Sequence, residues 1–312
     1  MIKRLFSPFT NFKLKYLPIL FIYFANSFAA FTKIAETYWM KDSFSLTPSE
    51  LTSISIWSNL PWTMKIIFGQ FIDSVRIKNS QRYIYVYIAS FILSIGIIIN
   101  IFIANNYYVK NMSIYSLLII SGALIQLGLA IQDLVADTLC YDAVDKYDNN
   151  GNQLSDDVIK DEIAKIQIIV KVTDIIAAML AAIISGFIAS RYSYANISYF
   201  SLVIVIISIL GIIIYPKEPY IKLEKFNPQI IYGGILYLLF ILFIALLRID
   251  NSDIFILTVG TLIISYLLHK LCEPLEKNYR IEIFKMLLII FAFRATPSYG
   301  RGSFRSRSEV RT

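Results

Sequence analysis

The chain has 312 residues, 57% of them hydrophobic and 16% charged, with a formal net charge of +7. Soluble globular domains are about 45–50% apolar and about 25% charged, so a soluble domain is excluded. Lys and Arg gather between the apolar runs, so the basic total does not imply nucleic acid. The two cysteines, Cys140 and Cys272, have no metal or redox spacing and read as inert thiols in or near helices.

The apolar residues fall in runs of about 20, the length an α-helix needs to cross a bilayer core of about 30 Å. They predict spans over residues 14–38, 50–71, 83–105, 114–134, 166–190, 197–215, 230–247 and 253–269, with a ninth starting near Ile283. The fold class is therefore an all-α polytopic membrane helix bundle, with the lipid bilayer as its partner. Met1-Ile2-Lys3-Arg4 begins like a signal peptide, but the run from Leu14 is too long and is followed by further spans, so it stays as the first helix. With the N-terminus inside, 17 Lys and Arg fall in inside segments, against Lys41, Lys110, Arg191 and Arg248 outside. That asymmetry places the N-terminus in the cytoplasm of a multi-pass protein in the plasma (inner) membrane. Trp39, Tyr107, Tyr108, Tyr192 and Tyr194 near span ends fit an interfacial aromatic belt.

Ionisable residues within spans cost about a few kcal/mol each and mark functional candidates. The first span carries Lys33 and Glu36 at i, i+3, able to pair on one face. Trp39 and Lys41 mark its outer end, so a near-interface ion pair is the competing reading. The second span carries Lys65, Gly69 and Asp73 at i, i+4 and i+8. They share one helix face, which suits a water-lined path; snorkelling of Lys65 to the inner interface is the alternative. The fourth span ends in Gln132-Asp133-Leu134-Val135-Ala136-Asp137. Asp133 and Asp137 repel at i, i+4, so at least one needs a raised pKa or a cationic partner, for which Lys65 and Lys171 are the candidates.

The inside segment from Cys140 to Lys165 is acidic and reads as a solvated linker. A calcium loop aligned on Gly151 would put Lys146 first and Asp157 last, where an oxygen ligand and a bidentate glutamate belong, so no metal is expected. Lys171 and Asp174 in the fifth span can pair at i, i+3, and the small residues from Ala177 to Gly186 read as a packing stripe. Pro216-Lys217-Glu218-Pro219 ends the sixth span. The only histidine, His269, lies at a span end, and no nucleophile–base set exists, so neither an enzyme nor a cofactor is expected.

Gly69 to Asp73, followed by Arg76, Lys78 and Arg82, resembles the motif that major facilitator transporters carry between their second and third helices. A fuller pattern resembles the folate-biopterin transporter family: Tyr38-Trp39-Met40-Lys41-Asp42, Leu46-Thr47-Pro48-Ser49-Glu50-Leu51, and Leu60-Pro61-Trp62 with Lys65, Gly69 and Asp73. The acidic pair at 133 and 137 is similar to that family too, although Thr138 follows and the family's arginine is missing. The resemblance covers residues 17–215 and 283–298. It implies a facilitator-like N-terminal six-helix bundle at 1–215, a cytoplasmic linker with an extra helical hairpin at 216–282, and the start of a C-terminal half at 283–312.

It further implies secondary-active transport of a pterin- or folate-like anion. Asp73 would be the cytoplasmic gate beside Arg76 and Arg82, Asp133 and Asp137 the coupling acids, and Lys65 an anion or acid partner. A muropeptide-type permease shares the Gln-Asp-x-x-x-Asp pattern and is an alternative. The last 14 residues hold four Arg and no Lys, Ile or Leu, whereas the first 298 hold seven Arg and 18 Lys. This tail reads as disordered. It predicts a frameshift or premature end, and hence a truncated, non-transporting remnant as the other alternative.

Overall fold

The structure is a computed structural model and describes residues 12–78, 80–107, 112–148, 152–218, 223, 225–247, 252–273 and 275–294. Every element among them is helical, apart from two isolated β-bridges. Five helices, Leu14–Phe44, Tyr83–Ala104, Ile114–Asp142, Asp156–Ile188 and Tyr194–Ile214, are long and apolar enough to cross a membrane. The all-α polytopic expectation is met. The tail from residue 295, with Ala295–Ser298 in it, lies outside the described residues.

The first span runs through 3₁₀ turns at Leu14–Tyr16 and Ala29–Thr32 that flank α1 (Leu17–Phe28) and precede α2 (Lys33–Phe44). The second span is not one helix. It consists of α3 (Pro48–Ser58), α4 (Leu60–Thr63) and α5 (Lys65–Ser74). Thr47 and Glu50 form a capping box at its start. Pro61 then removes an N–H, and the chain tightens into i→i+3 bonds, Trp62 N–H to Asn59 O and Met64 N–H to Pro61 O, both 3.1 Å.

The third span is α6 (Tyr83–Ala104) and the fourth is α7 (Ile114–Asp142), eight residues longer than the predicted 114–134. The acids that lower its hydropathy do not break a helix, since aspartate costs little in helix propensity. The fifth, α8 (Asp156–Ala189), starts ten residues before the predicted 166 for the same reason. Between them, Asp145 accepts from Lys13 (2.9 Å) and Lys15 (2.6 Å), and Tyr147 bridges to Gln153. The segment expected to be a free solvated linker is thus pinned to the start of the first span. The sixth span breaks at Ser201 into α9 (Tyr194–Phe200) and α10 (Leu202–Ile214).

Residues 1–227 form one compact unit. Its buried side chains make three clusters along the helices. Ile19, Ile22, Val86, Val135 and Ile166 lie toward the N-terminal end, Phe28, Leu93, Ala177 and Ile204 midway, and Met40, Ile54, Ile103 and Leu118 at the far end. α6 and α7 approach closely at two glycines: a β-carbon at Gly96 would sit 2.8 Å from the Ile125 nitrogen, and one at Gly128 2.7 Å from the Ala89 oxygen. Without a hydrophobic drive between helices in lipid, such backbone approach supplies much of the attraction. Of the small-residue stripe on α8, Ala177 and Ala181 are packed, whereas Gly186 has nothing near it. Residues 228–312 form the second unit, with α11 (Pro228–Leu247), α12 (Ser252–Leu271) and α13 (Lys277–Arg294). Within it α11 and α12 pack together, with Tyr237 against Gly260.

Candidate functional site

The break at Asn59–Met64 sets Lys65 at the first position of α5, a poor place for a cation because the helix dipole there is positive. Its partners compensate. Lys65 Nζ lies 2.5 Å from Asp133 Oδ2 and 3.4 Å from Asp137 Oδ2, and 5.3 Å from the centre of the Trp62 ring. One ammonium between the two carboxylates removes the i, i+4 repulsion on α7. Tyr23 of α1 donates its hydroxyl to Asp137 Oδ1. Next to Tyr23 in the first span, Ser27 donates to Asp174 Oδ1 at 2.9 Å. Lys171, the alternative partner for Asp133 and Asp137, instead pairs with its own i+3 neighbour Asp174 at 3.3 Å and is 76% exposed.

A cavity of about 920 Å³ opens at the N-terminal end of the bundle and reaches Asp137. Its size falls within the range of small-molecule sites, about 300–1,000 Å³. Lysines and acids of both signs line it, along with Tyr83, Tyr141, Tyr147 and Tyr215.

Asp73 and Arg82 also border this cavity. Arg82 is 5% exposed, and its guanidinium donates to Asp73 Oδ1 (2.5 Å), Ile72 O (3.3 Å) and Asp142 Oδ2 (3.0 Å). Asp73 and Arg82 thus pair, and Asp142, which the sequence did not single out, joins them. Arg76 reaches Gln81 Oε1 at 3.5 Å. Gly69 faces Leu134, where an added β-carbon would make an ordinary contact of 3.7 Å. The start of α6 is closed by an acid that the sequence did not single out. Glu218 Oε1 accepts from the backbone N–H groups of Gln81 (3.0 Å), Arg82 and Tyr83 (3.1 Å), while Tyr83 donates its hydroxyl to Lys217 O (3.2 Å). A carboxylate on unsatisfied N–H groups at the positive end of a helix is favourable twice over.

Lys33 and Glu36 sit elsewhere, on a smaller cavity toward the far end of the bundle. There Glu36 accepts from Asn100 Nδ2 at 3.1 Å. Between the two sites Gln132, fully buried, donates to Ser90 (2.9 Å) and Ser208 (3.1 Å) and ties the third, fourth and sixth spans together. Tyr23 could have been suspected from the polar Tyr23, Asn26 and Ser27 at helical spacing in an apolar run. Nothing local announces Glu218, whose partners lie more than 130 residues away. Among the described residues no group of His, Cys, Asp and Glu could hold a metal ion.

Residues 27–225, from the middle of the first span to the segment just after the sixth, match the BT1 family, the folate-biopterin transporters. The chain belongs to the BT1 family. Comparison with curated proteins and with solved structures finds no match. The matched stretch contains every member of the Lys65 and Arg82 clusters except Tyr23, and it ends beyond Glu218. Residues 283–298, where a second resemblance was read, fall outside it. BT1 proteins are transporters, and this member is a multi-pass integral membrane protein.

Proposed function

We propose that this BT1 protein is a secondary-active carrier of pterin- or folate-like anions. It works in the plasma (inner) membrane with its N-terminus in the cytoplasm, and its 1–215 bundle handles substrate and coupling ion. The observation that carries this reading is the 920 Å³ cavity reaching Asp137, whose carboxylate contacts Lys65 and Tyr23 inside the bundle. A lysine held by two carboxylates is neutralised. A proton on Asp137 removes one of them and makes the Lys65 ammonium available to a substrate carboxylate; loss of that proton restores the carboxylate, which competes with the substrate for Lys65. Binding of anion and of proton are then linked with the same sign, as symport requires. Asp73, Arg82 and Asp142 border this cavity at the cytoplasmic end, and their pairing and parting gate access to it. The excess of Lys and Arg on the N-terminal side supports the orientation.

The test is uptake of labelled folate and biopterin by cells expressing the chain, beside Asp137→Asn, with both proteins quantified in the membrane. Uptake that Asp137→Asn abolishes is expected. Equal uptake by the two, or none above empty membranes, would refute the assignment.

A further inference from the structure

Departures from α-helical geometry in three spans border one small cavity of about 80 Å³. The first span contributes the 3₁₀ turn Ala29–Thr32, whose Ala29 and Thr32 line it. The sixth contributes its break at Ser201, with Ser198 beside it. The second approaches through α4, where Trp62 Nε1 donates to the lining residue Gln126 at 2.7 Å. Broken spans meeting at a polar cavity are how transporters build ion sites, and a 3₁₀ stretch inside a longer helix marks a point of adjustment.

Lys33 and Glu36 are the two charged residues among those lining the cavity. Asn100, 6% exposed, uses its amide N–H groups on Glu36 (3.1 Å) and the Tyr194 hydroxyl (3.1 Å), while its own Oδ1 is buried with no partner among the described residues. The volume is far below that of a small-molecule pocket. It exceeds the about 10–15 Å³ that one water needs, so several waters fit. A metal cation would share this space with the Lys33 ammonium, whereas a proton bonds to the carboxylate itself.

We propose that Glu36 is a second proton-carrying group, loaded through water in this cavity and separate from the Lys65–Asp133–Asp137 cluster. A hydrated proton relayed through cavity water gives up its proton to a Glu36 carboxylate oxygen: one O–H bond of the hydronium breaks, one O–H bond to Glu36 forms, neutral water is left, and the site keeps the single positive charge of Lys33. The inference rests on the transport reading for its purpose: Asp137 sits on the cavity at the N-terminal end and Glu36 toward the far end, so the two acids are stations on opposite sides of the bundle. Asn100 of α6 and Tyr194 of α9 interact with Glu36, and the other polar groups lining the cavity are Thr32 and Lys33 of the first span, Gln126 of α7, and Ser198 and Ser201 of the sixth. On α8, Asp174 is occupied by Ser27 and Lys171.

Trp39 reports on this site, since it stacks on Tyr194 with ring centres 4.1 Å apart, whereas Trp62 also lies 5.3 Å from the Lys65 ammonium. The experiment is a pH titration of Trp39 fluorescence in the full chain carrying Trp57→Phe and Trp62→Phe, in lipid nanodiscs. One reversible transition is expected, retained in Asp137→Asn, lost in Glu36→Gln, and present at a displaced pH in Glu36→Asp, which guards against a folding artefact. A transition that survives Glu36→Gln, its absence from the parent, or a saturable response to Na⁺ at fixed pH in its place would overturn the proposal. Because the readout needs no transport, failure of the uptake assay leaves this result standing, and the converse also holds.

Discussion

Replacing Arg82 by glutamine removes the cation that joins the ends of α5 and α7 to the start of α6. The cost follows from burial. Asp73 is 27% exposed and can turn to water, but Asp142 is 9% exposed and would be left as an unpaired carboxylate. Removing one partner of a buried ion pair costs about 3–5 kcal/mol. At about 2–4 °C per kcal/mol for a unit of this size, the apparent melting midpoint should fall by about 6–20 °C. The assay is fluorescence-detected thermal unfolding of the full chain in detergent. Adding Asp142→Asn removes the stranded charge and should recover most of the loss, a non-additivity that a double-mutant cycle measures. A fall of under about 2 °C for Arg82→Gln, or strictly additive losses in the double variant, would refute the argument that Arg82 works by satisfying Asp142.

Gly69→Ala should leave the melting midpoint unchanged or slightly raised. Its β-carbon meets Leu134 at an ordinary distance, and alanine favours a helix by about 0.8–1 kcal/mol over glycine. A marked fall would mean that α5 and α7 approach more closely than they do here. At the clasp that Asp145 makes with Lys13 and Lys15, burial pushes the Asp145 carboxyl up, but the hydrogen-bonded ammonium groups of Lys15 and Lys13 outweigh it and hold Asp145 below the usual carboxylate range. Its contribution is therefore present above the unfolded value of about 3.9 and is lost as the pH falls through the depressed one. Asp145 is half exposed, so that contribution is at most about 1 kcal/mol. Amide exchange over residues 143–148, corrected for intrinsic rates, should be faster in Asp145→Asn than in the parent at pH 7, and the difference should shrink as the pH falls below the usual carboxylate range. A difference that does not shrink with falling pH would show that charge pairing is not its source.

The first span and the third to sixth were legible because lipid leaves helices as the only way to satisfy the backbone in these apolar runs, and length with hydropathy reports that directly. Their ends were less so. Asp133, Asp137 and Asp142 lower hydropathy without disturbing helical hydrogen bonding, so a reading based on polarity stopped α7 at residue 134 rather than 142. Pro61 was visible, but its effect, three short helices in place of one span, depends on the i→i+3 bonds around it. In the candidate site, Lys65 meets Asp133 and Asp137, and Asp73 meets Arg82, as charge placement suggested, because an ionisable group in a span has few partners to choose from. Asp142 and Glu218 were missed because each acts across helices distant in sequence and an acid between two prolines has no local signature, whereas Tyr23 has one, its spacing with Asn26 and Ser27, which does not say that its partner is Asp137.

The late position of Ser208 and Glu218 has a consequence for how the protein is made. As the chain emerges, the third span enters the bilayer with the N–H groups of residues 81–83 lacking their acid, and Gln132 of the fourth span has only Ser90 to bond. Both deficits end when the sixth span and the segment behind it arrive, about 76 residues after Gln132 and about 136 after the start of α6. Until then the early spans are held by their own contacts and ion pairs, without the tie to the sixth, and remain open to rearrangement by the insertion machinery. The sixth span is the bolt that locks them, so a ribosome stalled with it still in the exit tunnel should leave the third and fourth spans open to lipid-phase crosslinkers at Ser90 and Gln132.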